Sequence, residues 1–381
     1  MVVRTRRTML AAAAAVLLAG GAARAAEEPI TVGATVPTTG PLSLTGKLYF
    51  NTLTMAAEDI NKAGGIKGRP VRLAIEDAGA SNSTAVSAFV KLVQETKPPF
   101  AFLTSYSTQN LAVAPEVAKA AIPVMYAGGA DAVAENGNSW MFRIRPTDSL
   151  AARAMVRFMT TQLKATKPGI LYIQNDFGQG GAGVAARRLE EAGIKVVASE
   201  AYGQNDKDFS AQLLRLRSAG ADVVLVFCYP ADGALLLRQA KALGLKMPVV
   251  ASSAAFVPAA MQLLSPADLD NVWGVVDAFV DPGAGGRMKD FADRYKAKFG
   301  TDADAYGLAY YDGAMLMAEG MRQVGTEPKA LRDWLAGVKG WEGIGHAYTF
   351  DGKGNGVGDV AVVKAKPGTK ALEAVTSVKL D

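Results

Sequence analysis

From Ile30 onward, short β-branched apolar runs alternate with stretches whose apolar positions recur at helical spacing, and Gly or Pro marks the joints. The pattern predicts strands over 30–37, 71–77, 100–105 and 123–126, with helices over 45–63, 83–95 and 108–121 between them. In the first helix Phe50, Leu53, Ala57 and Ile60 share one face, and Gly64-Gly65 ends it. The stretch from Trp140 to Pro146 breaks this rhythm, and a second series follows. Helix 151–163 opens it, strands are predicted over 169–174, 195–201, 222–229 and 249–252, and helices over 183–192, 209–219 and 231–243 separate them. A further apolar strand, 271–280, precedes three helices over 287–299, 305–324 and 328–338. The tail reads as a hairpin of 347–350 with 359–364 around the glycines at 352, 354 and 356. Repeated βα order implies parallel sheets with helices on both faces, here in two units.

The first 25 residues read differently. Arg4, Arg6 and Arg7 precede the apolar run Met9–Ala19, and Ala23-Arg24-Ala25 has the small-x-small form of a signal-peptidase site. That run is too short to span a bilayer, which takes about 20 residues. The pattern predicts a cleaved export signal, Sec or twin-arginine in type, and a protein delivered to the periplasm. Its four arginines carry most of the basic balance, since removing them takes the net charge from +5 to +1. No basic stripe interleaved with aromatics remains, which argues against nucleic acid as a partner. The residues left exceed what one core organises, so two lobes are expected. Cys228 stands alone in an apolar run and reads as a buried core residue, and His346 as a turn or crossing residue. One Cys and one His leave no material for a Cys/His metal site or a Cys–His or Ser–His pair.

Two segments carry candidate chemistry. Gly178-Gln179-Gly180-Gly181-Ala182-Gly183 fits G-x-G-x-x-G after a strand, with Glu200 further on, which keeps an exported NAD(P)-dependent oxidoreductase as an alternative. Asn175-Asp176-Phe177 separates those glycines from the strand tip, however, and a pyrophosphate needs them there. The second segment is the hydroxyl run Thr104-Ser105-Tyr106-Ser107-Thr108, where a strand gives way to a helix. Hydroxyls and free helix N–H groups suit an anion, although Ser107 can equally be a helix N-cap. The following strand ends in Tyr126-Ala127-Gly128-Gly129-Ala130-Asp131, a small-residue edge at the same end of the sheet. Ligands of open α/β sheets bind at that end.

The segment from Ala56 to Pro70, AAEDINKAGGIKGRP, closely resembles the helix–turn–strand of the periplasmic leucine/isoleucine/valine-binding family. Thr38-Thr39-Gly40-Pro41-Leu42, Asp176-Phe177-Gly178-Gln179-Gly180 and Lys207-Asp208-Phe209-Ser210 fit the same family, and the resemblance runs from about Ile30 to Val363. It implies a two-lobed type I solute-binding protein of an ABC importer, with no cofactor, that hands a small amino acid or related carboxylate or amide to a membrane permease and its ATPase. A ligand sensor feeding a receptor has the same fold. The resemblance places three crossovers near Arg145, Asp277 and Ala347, giving one lobe of 26–145 with 277–346 and another of 146–276 with 347–381. It assigns Ser105, Ser107 and Thr108, with the loop from Tyr126 through Gly128 and Gly129, to the ligand carboxylate, and Phe177, Tyr229 and Tyr306 to the cleft walls. At the position where the family's amino-acid binders carry an acid for the ligand ammonium, this chain has Ser253. Burying an ammonium without a counter-charge costs several kcal/mol. Asp131 or Asp277 is the expected substitute acid, and a carboxylate lacking an amine is the alternative ligand. Ala130 also stands where a hydroxyl residue is common, so the carboxylate seat is altered as well.

Overall fold

The computed structural model describes residues 28–379 apart from 282 and 284, and the export signal read from residues 1–25 lies outside them. The first unit is a wholly parallel five-stranded sheet. Its strands are β1 (Ile30–Val36), β2 (Val71–Asp77), β3 (Ala101–Phe102), β4 (Val124–Tyr126) and β5 (Met141–Arg143), in the order β2-β1-β3-β4-β5. Helices α1 (Ser43–Lys62), α2 (Asn82–Thr96), α3 (Ser107–Ala120) and the short α4 (Asp131–Glu135) connect them.

The second unit repeats the arrangement. After α5 (Asp148–Thr161), β6 (Pro168–Ile173), β7 (Ala198–Tyr202), β8 (Val223–Phe227), β9 (Val249–Ser252) and β10 (Val272–Val276) form a parallel set ordered β7-β6-β8-β9-β10. The connecting helices are α6 (Asp176–Glu191), α7 (Ser210–Ser218), α8 (Pro230–Ala242) and the single turn α9 (Pro258–Met261). The chain then returns to the first unit for α10 (Gly286–Phe299), α11 (Ala305–Val324), α12 (Pro328–Ala336) and the small pair β11 (Trp341–Glu342) and β12 (Ala347–Tyr348). It crosses a third time to add β13 (Asp359–Ala365) and β14 (Leu372–Lys379) antiparallel to the edge at β10. Helices pack on the two large sheets, as buried parallel strands require. None of the described helices is long and apolar enough to cross a membrane.

Packing decides the details that periodicity alone did not. The inward face of α1 is Leu48, Tyr49, Thr52, Leu53, Met55, Ala56 and Ile60, while Phe50, expected on that face, is exposed. The helix is anchored by α11, whose residues are buried nearly all round, as befits a helix lying between other elements. In the second unit α6 begins seven residues before the predicted start. Asn175 caps it by accepting from Gly178 N–H at 3.0 Å, and the glycines that read as loop are helical. A Cβ on Gly178 would lie 1.9 Å from the carbonyl oxygen of Ile173, and one on Gly181 would lie 2.5 Å from the Phe227 ring. These glycines let the helix lie close on its own sheet, and the dinucleotide reading loses its loop.

The expected tail hairpin is also corrected. β12 pairs with β11, and β13 pairs with β10 and β14, so the Gly-rich turn spans a crossing between units instead of joining two partners. That turn is held by Asp351, which accepts from Lys353 and Asn355 N–H, and by Arg143 N–H donating to Gly354 O at 2.7 Å.

Gly46 in α1 tests the packing logic, because a Cβ there would sit 1.7 Å from the carbonyl oxygen of Pro37, whereas Gly183 in α6 has open space. Gly46→Ala should lower unfolding stability by about 1–3 kcal/mol through overpacking. Gly183→Ala should raise it by about 0.5–1 kcal/mol through helix propensity. Urea denaturation of both variants beside the wild type checks the contrast.

Candidate functional site

In a sheet ordered 2-1-3-4-5 the chain leaves strands 1 and 3 toward opposite faces, which opens a crevice at their carboxyl ends. Here that crevice occurs twice, after β1 and β3 and again after β6 and β8, and the two face each other. Tyr106, one residue before α3, meets Tyr229, one residue before α8, edge to face with centroids 5.1 Å apart. Phe177, at the start of α6, stacks on the same Tyr229 ring at 5.5 Å and 9°. Asn175 Nδ2 donates to the Tyr229 hydroxyl at 3.1 Å and so fixes its tilt. Ser105 is half-buried beside this group, its hydroxyl paired with that of Tyr49. Thr108 lies half-buried in the first turn of α3.

The small-residue edge of the first sheet turns out to be braced from within. Tyr106, not Ser107, is the N-cap of α3, and the Ser107 hydroxyl instead accepts from Ala130 N–H at 3.1 Å. Gly128 N–H donates to Asn110 Oδ1 at 3.1 Å. The guanidinium of fully buried Arg143 donates to the carbonyls of Gly128, Gly129 and Ala130. Two of the N–H groups that could have met a carboxylate are therefore already engaged. A Cβ on Gly129 would lie 2.0 Å from Asp148 Oδ1 and 2.6 Å from Arg145 Nη1, so only glycine fits there. Tyr126 is set in the core under Arg143, with no exposed surface.

Behind the aromatic group lies a buried polar cluster. Arg145, at the first crossing between units, grips Asp277, at the second, through Nε at 2.7 Å and Nη2 at 2.9 Å. Its guanidinium also lies 5.2 Å over the ring of Tyr306 and 3.9 Å from Asp148. Burial pushes the Asp148 carboxyl up to about 7 despite both arginines. Ser253, directly after β9, accepts from Asp277 N–H at 3.3 Å. Asp304 caps α11, its Oδ1 accepting from Gly307 N–H at 2.6 Å, and burial pushes its carboxyl up to about 6.

Beside Ser253 and Asp304 a cavity of about 500 Å³ opens between the two units, walled by Phe256, Met261, Phe279 and Ala303. Asp131 is elsewhere. It pairs with the Ser149 hydroxyl and lines a separate groove of about 970 Å³ that shares no residue with the first. Cys228 is buried, with its thiol pushed up to about 12, and His346 is buried against Asp359 at 2.9 Å. No group of His, Cys, Asp and Glu among the described residues could hold a metal ion. Sequence reasoning thus brought together Ser105, Phe177, Tyr229, Ser253 and Tyr306 but passed over Tyr106, Arg145, Asp148 and Asp304. Tyr106 had a signal, since it sits in the hydroxyl run at the strand end. Asp304 had none beyond that of an ordinary helix cap.

Comparison with known proteins agrees with this geometry. A model of the periplasmic binding protein family matches residues 29–370. The chain is 29% identical over 349 residues to Leu/Ile/Val-binding protein homolog 7 of Brucella abortus, covering 86% of each. It is 30% identical over 326 residues to homolog 8 of the same organism, covering 81% of this chain and 80% of the relative. Among solved structures it superposes with TM-score 0.83 on the branched-chain amino acid transporter substrate-binding protein LivJ of Streptococcus pneumoniae in complex with isoleucine, at 23% identity over 91% of this chain and 99% of that one. The leucine-binding protein LivK of Thermotoga maritima gives TM-score 0.84 at 20% identity, over 92% and 99% of the two chains. The chain belongs to the periplasmic binding protein family, a family of binding proteins and not of enzymes, and has the two-lobed type I fold.

Proposed function

We infer that this protein is the periplasmic solute-binding component of an ABC importer and that it captures an amino acid or related small carboxylate between its two lobes. The observation that carries this reading is the meeting of the two sheet crevices at Tyr106 and Tyr229, because a ligand held there touches both units at once. The names of the relatives and the isoleucine bound to the pneumococcal neighbour support the amino-acid class. The moving bodies are taken as 26–145 with 277–346 and 146–276 with 347–381, hinged near Arg145, Asp277 and Ala347. Ser105 and Thr108 would receive the carboxylate from one lobe, with Phe177 and Tyr229 closing from the other, and Ser253 and Tyr306 lining the inner end.

Ligand contacts made from both lobes exist only when the lobes are together, so binding shifts the population toward the closed form. The permease would then read that form. A micromolar affinity corresponds to about −8 kcal/mol. A few hydrogen bonds to charged groups, at about 1.5–3 kcal/mol each, plus aromatic burial supply that.

Replacing Ser105 and Tyr229 together by Ala should abolish solute binding in calorimetric titration against a panel of apolar amino acids and amine-free carboxylates, with the far-ultraviolet circular dichroism unchanged. Binding retained by the double variant would place the ligand elsewhere.

The cleft also predicts a pH effect. The folded-state value of Asp148, about 7, lies above the ordinary carboxyl value near 3.9. Its stabilising contribution is therefore complete below about pH 4 and lost as pH rises through 7. Asp148→Asn, a neutral isostere, should melt higher than the wild type at pH 8, and the gap should close toward pH 4. A gap that does not change with pH contradicts the assignment.

A further inference from the structure

Ser253 leaves the inner end of the cleft without an acid after β9, so a ligand ammonium needs an acceptor from another element. The nearby carboxylates can be sorted by what they already hold. Asp277 is occupied by two nitrogens of Arg145. Asp148 lies 3.9 Å from the same guanidinium and against Gly129. Asp131 lines the other groove. Asp148, Asp277 and Asp304 each keep a buried Oδ2 without a hydrogen-bond partner among the described residues, but the first two lie against Arg145, whereas Asp304, whose Oδ1 caps α11, pairs with no cation among the described residues. The side chain is 5% exposed and lines the same cavity as Ser253, from the opposite unit. A carboxylate oxygen left without a donor in such a place is costly unless a ligand donates to it.

Much of the rest of the cavity wall is apolar, with Gln262, Thr301, Lys370 and Asp302, the last paired with Lys296, on its polar side. Phe256, Val257 and Met261 come from the second unit, and Ala278 and Phe279 from the crossing after β10. Its volume of about 500 Å³ falls in the range of roughly 300–1,000 Å³ typical of small-molecule sites. A leucine side chain would leave much of this wall without contact, and an aromatic group would cover more of it.

We propose that Asp304 is the acceptor for the ligand's ammonium group and that the cavity behind it encloses a large apolar side chain, so that the solute is an amine-bearing carboxylate with an aromatic or similarly bulky group. Resting on the cleft reading given above, this assigns a specificity role to a residue of α11's cap and makes Ser253 a neighbour of the ammonium instead of its counter-ion.

The test is calorimetric titration of the mature chain, residues 26–381, with phenylalanine, leucine and 3-phenylpropanoate, which is phenylalanine without its amine. Asp304→Asn keeps a capping side chain of the same size and removes only the charge. The wild type should bind phenylalanine more tightly than either other probe. Asp304→Asn should weaken phenylalanine by about tenfold or more and leave 3-phenylpropanoate unchanged. Equal phenylalanine binding by wild type and Asp304→Asn overturns the proposal while leaving the transport reading intact. Wild-type protein that binds 3-phenylpropanoate but neither amino acid overturns the proposal and leaves the transport reading with an amine-free carboxylate, and wild-type protein that binds none of the three overturns the proposal. Thermal melting reports whether the variant folds, and Ala303→Leu, which narrows the cavity without touching the acid, provides an independent arm. It should weaken phenylalanine at least about tenfold more than leucine, and an equal effect on both places the side chain outside the cavity.

Discussion

The buried pair of Arg145 and Asp277 is the interaction on which the rest of this structure leans. Each residue sits just past the last strand of one five-strand set, where the chain leaves for the other unit, so their fork-like contact ties two of the three crossings together. Removing either partner would leave a buried charge alone, at a cost of about 3–5 kcal/mol. Around this fixed point the other site groups take their places. Gly129 packs against Arg145 and Asp148, the Tyr306 ring lies beneath the guanidinium, and Ser253 accepts from the backbone of Asp277. The pair lies at the crossings, behind the aromatic group where the two units meet.

The strand-end loops follow from a topological doubling. Both units order their first five strands 2-1-3-4-5, so each has one crevice, and the crossings turn the two crevices toward each other. Neither unit alone could surround a solute. Together they place aromatic rings from both sides in contact. The glycines of α6 serve the same end by letting that helix lie flat on its sheet, which carries Phe177 to the cleft at its first turn.

The βα rhythm was legible because strand and helix periods differ and because Gly and Pro mark their ends. β2, β9 and α11 fall where periodicity put them. What stayed hidden depended on partners distant in sequence. Phe50 has the right spacing for a buried face, as Leu53 and Ile60 do, but packing against α11 buries Tyr49 and leaves Phe50 exposed. The glycines after Phe177 read as a loop because their role is steric closeness to Ile173 and Phe227, which no local pattern displays. The tail hairpin was plausible locally, but β12 and β13 belong to different units. In the site, rings and hydroxyls at strand ends were readable. Arg145 and Asp148 were not, since their meaning comes from meeting Asp277 across 132 positions of chain and Gly129 across a loop.

Solute-driven closure of the two lobes is the central claim, and distance measurement across the cleft tests it most directly. Leu44 on the first unit and Leu263 on the second are exposed, and the native Cys228 is buried, so cysteines at those two positions accept spin labels selectively. Pulsed electron paramagnetic resonance should give a distance distribution that narrows and moves to shorter values when a bound amino acid is added. A distribution unchanged at saturating solute, with binding confirmed by calorimetry on the same labelled protein, would contradict the account.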